Sequence, residues 1–178
     1  MNLIARLVLV VCVGFAISDR VAHYRKSRQF ENVTEQLSVI RLVNGELKSE
    51  ELDLSKYRYL ALYHSASWCG PCQAFSPRLS EFYHSASKGN FELVMINHDR
   101  SAADMAQYMK QHRMEFPAIL EADAGVWGKA PSGTGIPNLV IFDMQTHKVI
   151  EESFNGGTYQ GPDVPLQALR EKLSSPGR

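Results

Sequence analysis

Cysteine is scarce in this chain: there are three in 178 residues, at positions 12, 69 and 72. That excludes the dense disulfide scaffold of small secreted modules. A surplus of charge is missing as well, because 19 basic and 19 acidic side chains cancel. Without a basic surplus there is no footprint of a nucleic-acid binder. There is no second CxxC, and the histidines at 23, 64, 84, 98, 112 and 147 show no HxxxH spacing. A closed zinc site needs four ligands, and none is spelled out. A phosphate loop is absent too. Near residues 125–130, Asp123 stands at the first glycine position and Ala130 replaces the Ser or Thr. No GxSxG element marks a serine hydrolase, and no repeat of 20–50 residues is visible. The tetrapeptide His-Ser-Ala-Ser occurs at 64 and 84, in different expected elements, and carries no periodicity.

What is present is ordinary globular material, 44% hydrophobic and 21% charged. The length suits one domain plus an extension. Residues 1–30 differ from the rest. Arg6 precedes an apolar run at 7–17, and Arg20, Arg25, Lys26 and Arg28 follow with only Asp19 opposing them. Eleven residues without charge match a signal-peptide core and are short for a spanning helix. Gly14 and Ala16 place small residues at a cleavage site; counting Leu3 and Ile4 leaves an uncleaved anchor open. Basic flanks stay on the cytoplasmic side, which opposes export. The segment therefore reads as a signal peptide or a signal-anchor attached through residues 3–17. The protein is expected to be exported, periplasmic or secreted, or membrane-anchored, with the side open. Cys12 is an apolar filler of this run, since Val11 is not the small residue that lipid modification would need. The neutral total divides accordingly: residues 1–30 carry a net +4 and residues 31–178 a net −4. The expected organisation is a leader at 1–30 and one domain at 31–178.

Along that domain, residues 30–36 read as linker or a short helical turn. Residues 38–43 alternate as a strand, and Asn44-Gly45 supplies the pair of positive φ angles of a tight hairpin before a return strand at 46–48. Residues 57–64 (YRYLALYH) and 91–97 (FELVMIN) read as buried strands, with a helix to about 85 between them. Ser101 caps a helix to 112, with Met105, Tyr108 and Met109 on one face. Residues 121–135 read as a loop. Two strands follow at 138–142 and 148–154, and a closing helix at 164–173. The fold class is α/β: a mixed central β-sheet flanked by helices on both faces, with an N-terminal β-hairpin.

The chemistry lies in Trp68-Cys69-Gly70-Pro71-Cys72. A strand ends before it and a helix begins within it, so Cys69 falls at a helix N-terminus, where a thiolate is favoured. Cys72, one turn on, is near enough to form a disulfide with it. Pro71 has no N–H to lose in a first turn, and Gly70 lets a partner backbone approach. Together they make a reversible dithiol/disulfide switch. A half zinc site lacks its other ligands. A structural disulfide closing so short a loop would constrain little chain entropy.

These segments resemble the thioredoxin superfamily, and within it the tryparedoxin and nucleoredoxin group. The matching stretches are YLALYHSASWCGPCQAFSPRLSEFY (59–83), FELVMINHDRSAADMAQYM (91–109) and GIPNLVIFD (135–143), with LVNGEL before them. The resemblance spans about 36–173 and implies a thioredoxin-like fold. The tryparedoxin pattern has a second proline where this chain has Gly70; Gly-Pro is the thioredoxin pattern and points to a more reducing couple. Thioredoxins carry a buried carboxylate six residues before the first cysteine, and Tyr63 stands there instead, so that acid's proton handling does not carry over. The resemblance implies a cis bond at Ile136–Pro137 facing the cysteines, with the Ile136 backbone free to pair with a substrate strand. It makes Pro77 a structural proline within the helix. Trp68 would shape the docking surface or sit in the core. Asp99-Arg100 reads as a cap or ion pair or as part of the docking rim, and His98 stands beside them.

The expectation is a protein-disulfide reductase in which Cys69 attacks, Cys72 resolves, and Trp68, Gly70, Pro71, Ile136 and Pro137 hold the substrate. It needs no bound cofactor and no metal. Its partners would be disulfide-containing proteins and an upstream thiol reductant. Two alternatives stay open: a peptide-docking module with little turnover, and an oxidant or isomerase.

Overall fold

The structure is a computed structural model that describes residues 36–86, 89–129 and 135–174. These lie in one unit spanning 34–178. The expected leader at 1–30 is outside the described residues. Among the described residues, no helix is long and apolar enough to cross a membrane.

Asn44 (φ 52°) and Gly45 (φ 81°) form the expected tight turn. It joins β1 (Gln36–Val43) to β2 (Glu46–Asp53), antiparallel from Gln36↔Asp53 to Val43↔Glu46. The return strand is eight residues long rather than three. Its sequence, ELKSEELD, is polar and mostly exposed, so backbone pairing with β1 extends it where no hydrophobic alternation could announce it.

Three central strands were legible as apolar runs. β3 (Tyr59–Ser65) and β4 (Phe91–Asn97) pair in parallel, and β6 (Asn138–Asp143) lies antiparallel to β3. β7 (Lys148–Glu152) borders β6 across a register shift at Ile141/Phe142. Residues 116–120 hide one more strand, β5 (Ala118–Leu120), which is too short for a periodic signal. β5 runs parallel to β4 and meets β1 at Ile40↔Ala118, joining the N-terminal hairpin to the centre. The sheet order is β2-β1-β5-β4-β3-β6-β7.

The register aligns Tyr63 with Met95 and Leu139. With Ala61, Leu93 and Ile141 they share one buried cluster with the three α-helices found among the described residues: Phe75 and Leu79 of α1 (Gly70–Ser85), Tyr108 and Met109 of α2 (Ala102–Gln111), Leu166 and Leu169 of α3 (Asp163–Ser174). Helices were expected on both faces. Among the described residues, the other face is met by 3-10 turns, Glu121–Asp123 and Gly125–Gly128, within the segment expected as a plain loop. Trp127 anchors them edge-on against Phe142, with ring centroids 5.8 Å apart. Ser101 caps α2 as expected, accepting from the Asp104 N–H at 3.1 Å.

The strand expected at 148–154 stops at Glu152. After Ser153 a separate hairpin forms, β8 (Phe154–Asn155) with β9 (Thr158–Tyr159). Gly156 (φ 56°) and Gly157 (φ 87°) make its two-residue turn, which needs positive φ at both positions.

Candidate active site

β3 feeds directly into the CxxC turn. Cys69 is the N-cap of α1, extended at φ −90° and ψ 104°, and its Sγ accepts from the Cys72 N–H at 3.2 Å. Cys69 N–H closes the turn onto Ala66 O at 3.2 Å, and Gln73 N–H starts the helix on Cys69 O at 3.0 Å. Pro71 fills the first helical turn, where no intrahelical donor is needed. Cys69 and Cys72 are joined as a disulfide, with Cα atoms 5.2 Å apart. Their exposures differ: Cys69 keeps 5% of its surface and Cys72 none. Of the two, only Cys69 reaches the surface. The unpaired N–H groups of the helix start favour its thiolate.

The Ile136–Pro137 bond is cis. Cys69 Sγ lies 3.7 Å from Ile136 O, and Ile136 packs on the small cluster of Ala66, Cys69 and Cys72. A Cβ at Gly70 would meet nothing within 4 Å, so no contact inside the described residues demands glycine there. Pro77 lies inside α1.

Among the described residues, Asp99 acts as a cap. Its carboxylate accepts from Ser67 N–H at 3.0 and 3.1 Å, Ser67 Oγ at 2.8 Å and Asn97 Nδ2 at 2.9 Å. That pins the turn leading to Cys69 from the end of β4. Trp68 is 66% exposed, and its Nε1 donates to His98 O at 3.4 Å. The core tryptophan is Trp127.

Two groupings were invisible in the sequence. Parallel pairing of β3 with β4 brings His64 Nδ1 within 3.1 Å of His98 Nε2, although 34 residues separate them. Burial, then the His98 charge, pulls the His64 pKa down to about 3. Burial also lowers that of His98, against Glu121 and Asp99. The second grouping is a chain of hydroxyls behind Cys72. Ser76 Oγ donates to Cys72 O at 2.9 Å and lies 2.7 Å from Tyr108 Oη, which is 2.9 Å from Ser65 Oγ. Tyr63 Oη is 3.0 Å from Ser76 Oγ. Burial pushes the Tyr63 phenol far above its usual pKa. The group standing where a carboxylate was absent is thus a neutral hydrogen-bonding phenol, not a base. Among the described residues, no cluster of His, Cys, Asp and Glu could hold a metal.

Comparison with known proteins agrees with this geometry. The thioredoxin-like family model matches residues 57–149, just over half of the chain. A tryparedoxin of Trypanosoma brucei brucei is 33% identical over 121 residues, covering 65% of this chain and 83% of that protein. A probable nucleoredoxin 1 of Arabidopsis thaliana is 33% identical over 106 residues, covering 57% of this chain but only 18% of that protein. The solved structure of tryparedoxin II from C. fasciculata superposes with a TM-score of 0.54 at 25% identity, covering 85% of this chain and 93% of that one. The chain thus belongs to the thioredoxin-like family, on its tryparedoxin and nucleoredoxin side, and is a thiol–disulfide oxidoreductase of the protein-disulfide reductase kind.

Proposed function

We propose that Cys69 is the attacking thiolate and Cys72 the resolving one. The reading is carried by the unequal burial of a cysteine pair whose outer member caps a helix. In the reduced enzyme, Cys69 Sγ attacks one sulfur of a substrate disulfide. The S–S bond breaks, a mixed disulfide forms, and the other substrate sulfur leaves as a thiolate that takes up a proton. Cys72, deprotonated, then attacks Cys69 Sγ. The second substrate thiolate departs, and two electrons have passed from the dithiol to the substrate. The product is the disulfide-linked form described above. An upstream thiol reductant returns it to the dithiol.

Trp68, Gly70, Pro71, Ile136 and Pro137 form the docking surface, with the Ile136 backbone pairing with an extended segment of the substrate protein. Residues 1–30 act as a signal peptide or anchor and 31–178 as the redox domain. The apolar run at 7–17, the basic residues after it and the mildly acidic remainder support that division.

The test is insulin reduction with dithiothreitol as electron source. Cys69→Ser abolishes turnover, whereas Cys72→Ser accumulates a covalent mixed disulfide with the substrate. Full activity of Cys69→Ser would sink the assignment. A pull-down by Cys72→Ser that recovers only non-covalent partners would favour a docking module. The reduction potential of the pair separates reductant from oxidant or isomerase. N-terminal sequencing and protease protection read the fate and side of the leader.

A further inference from the structure

We propose that the β8–β9 hairpin is the specificity wall of the exchange site, where Phe154 and Tyr159 receive an apolar side chain of the substrate polypeptide close to its disulfide cysteine. The proposal rests on the reading that substrate disulfides are exchanged at Cys69 beside Ile136.

A continuous line of contacts links the hairpin to the sulfur. Cys69 Sγ is 3.7 Å from Ile136 O. The next residue along the backbone is Gly135, and a Cβ there would stand 3.1 Å from Phe154 Cζ. The tip of the Phe154 ring thus stands tight against position 135, and a side chain there would press it aside by a few tenths of an ångström. Phe154 pairs with Tyr159 across the hairpin, with ring centroids 5.0 Å apart. Neither ring is spent on the core: Phe154 is half-buried and Tyr159 keeps 49% of its surface. Tyr159 and Trp68 are two of the five large hydrophobic side chains exposed among the described residues.

The pair is held in place rather than left to fold around a ligand. Ser153 N–H donates to Leu139 O at 3.0 Å, and Leu139 N–H donates to Ser153 Oγ at 2.8 Å. Gln160 N–H returns to Ser153 O at 2.9 Å, and its side chain donates to Glu152 O at 3.1 Å. Both feet of the hairpin are thus tied to the strands that carry the site. Fixed aromatic rings offer contact area at little cost in ordering.

Burial, and after it the Asp163 carboxylate, raise the Tyr159 pKa, so the phenol stays protonated. Asp163 itself pairs with Arg78 at 2.8 Å. The carboxylate of Glu151 accepts from Gln160, beside Tyr159, so an acidic flank is disfavoured and an apolar one favoured. The occupant follows from continuity with the exchange site. A strand lying along Ile136 repeats its side chains on one face about every 7 Å. The residue two positions from the substrate cysteine is the one that reaches the rings.

Two peptides test this, each with one internal disulfide and identical except for Leu or Asp two positions from the attacked cysteine. Bis(2-hydroxyethyl) disulfide, which has no flanking residue, is the reference. The wild type should favour the Leu peptide in kcat/KM by about tenfold, the low end of what one apolar contact discriminates. Tyr159→Ala and Phe154→Ala should bring the two peptides to near parity while leaving the reference rate unchanged, and Tyr159→Phe should keep the preference. Tyr159 is exposed enough that its variant carries the test even if Phe154→Ala folds poorly. A preference that survives Tyr159→Ala, or an equal loss on all three disulfides, overturns the wall. So does a wild type that reduces the reference and both peptides without preference, which leaves the exchange reading standing. A wild type that reduces none of the three overturns that reading and the wall with it.

Discussion

Two polar clusters, one between the N-terminal hairpin and the start of β4 and one behind the cysteines, are built from opposite materials. At the hairpin end, Arg41 donates to Glu92 at 3.0 Å, to Glu50 at 2.8 Å, to Tyr83 Oη at 2.8 Å and to Glu115 O at 3.1 Å. Glu92 is only 4% exposed and also accepts from Tyr83 and Leu93. Behind the cysteines, Tyr63, Ser65, Ser76 and Tyr108 are all neutral. A charge buried near Cys72 would bias every ionisation of the sulfurs, since charges in a low dielectric act strongly on their neighbours. Behind Cys72 the polar space is filled by hydroxyls, and the carboxylate nearest the cysteine turn, Asp99, is taken up by Ser67 and Asn97.

The largest effect should come from the charged cluster. Arg41→Met leaves the Glu92 carboxylate buried without its cation and should cost about 3 kcal/mol in a urea melt, the low end for breaking a buried pair. Disulfide turnover per folded molecule should be unchanged; a matching loss of turnover would erase the division between the two ends.

Next comes the imidazole pair, His64 with His98, on the face of the sheet opposite Tyr63. His64 titrates at about 3 when folded and near 6.5 when unfolded. Between those values only the unfolded chain binds the proton, so stability falls as pH drops from about 6.5 toward 3. The limit is about 1.4 kcal/mol per pH unit. Above that window the group contributes no slope. Urea midpoints from pH 8 to 5 should show the fall, and His64→Leu should flatten it. An unchanged slope would show that His64 is not held neutral.

Tyr108→Phe removes the hydroxyl that Ser65 and Ser76 share and should cost about 1.5 kcal/mol. As a neutral scaffold, the cluster should lose equal stability in the oxidised and reduced forms. Unequal losses would make these hydroxyls part of the redox chemistry and would sharpen the comparison against us. The smallest effect is Ser101→Ala, which deletes the α2 cap for about 1 kcal/mol and should move neither cluster's readout.

Legibility followed sequence distance. The turn at Asn44-Gly45, the cap at Ser101 and the helix after Cys69 depend on neighbours a few residues away, and all were readable. β4 was readable to the residue because it is buried along its whole length. The pattern of β2 announces only its first residues and that of β5 none, because their partners, not their own patterns, make them strands. The site divides in the same way. The cysteine motif stands out in the sequence, while the role of Asp99 stays open there between cap, ion pair and rim. Only its contact with Ser67, 32 residues earlier, decided for the cap. Nothing in the spacing of Gly135 and Phe154 hints that the two stand against each other.

By itself, the sequence determined a strand running into a helix whose first residues carry two cysteines, and with it the kind of reaction. That needs only local geometry: an N-cap sulfur, a proline in the first turn and a second sulfur one turn away. The tertiary structure decided which sulfur is reachable, what surrounds it and what shares its surface. Those depend on sheet order, which sets Ile136 against Cys69, His98 against His64 and a cluster of hydroxyls behind Cys72. Contacts of this kind join positions 10 to 70 residues apart, and no local pattern encodes them.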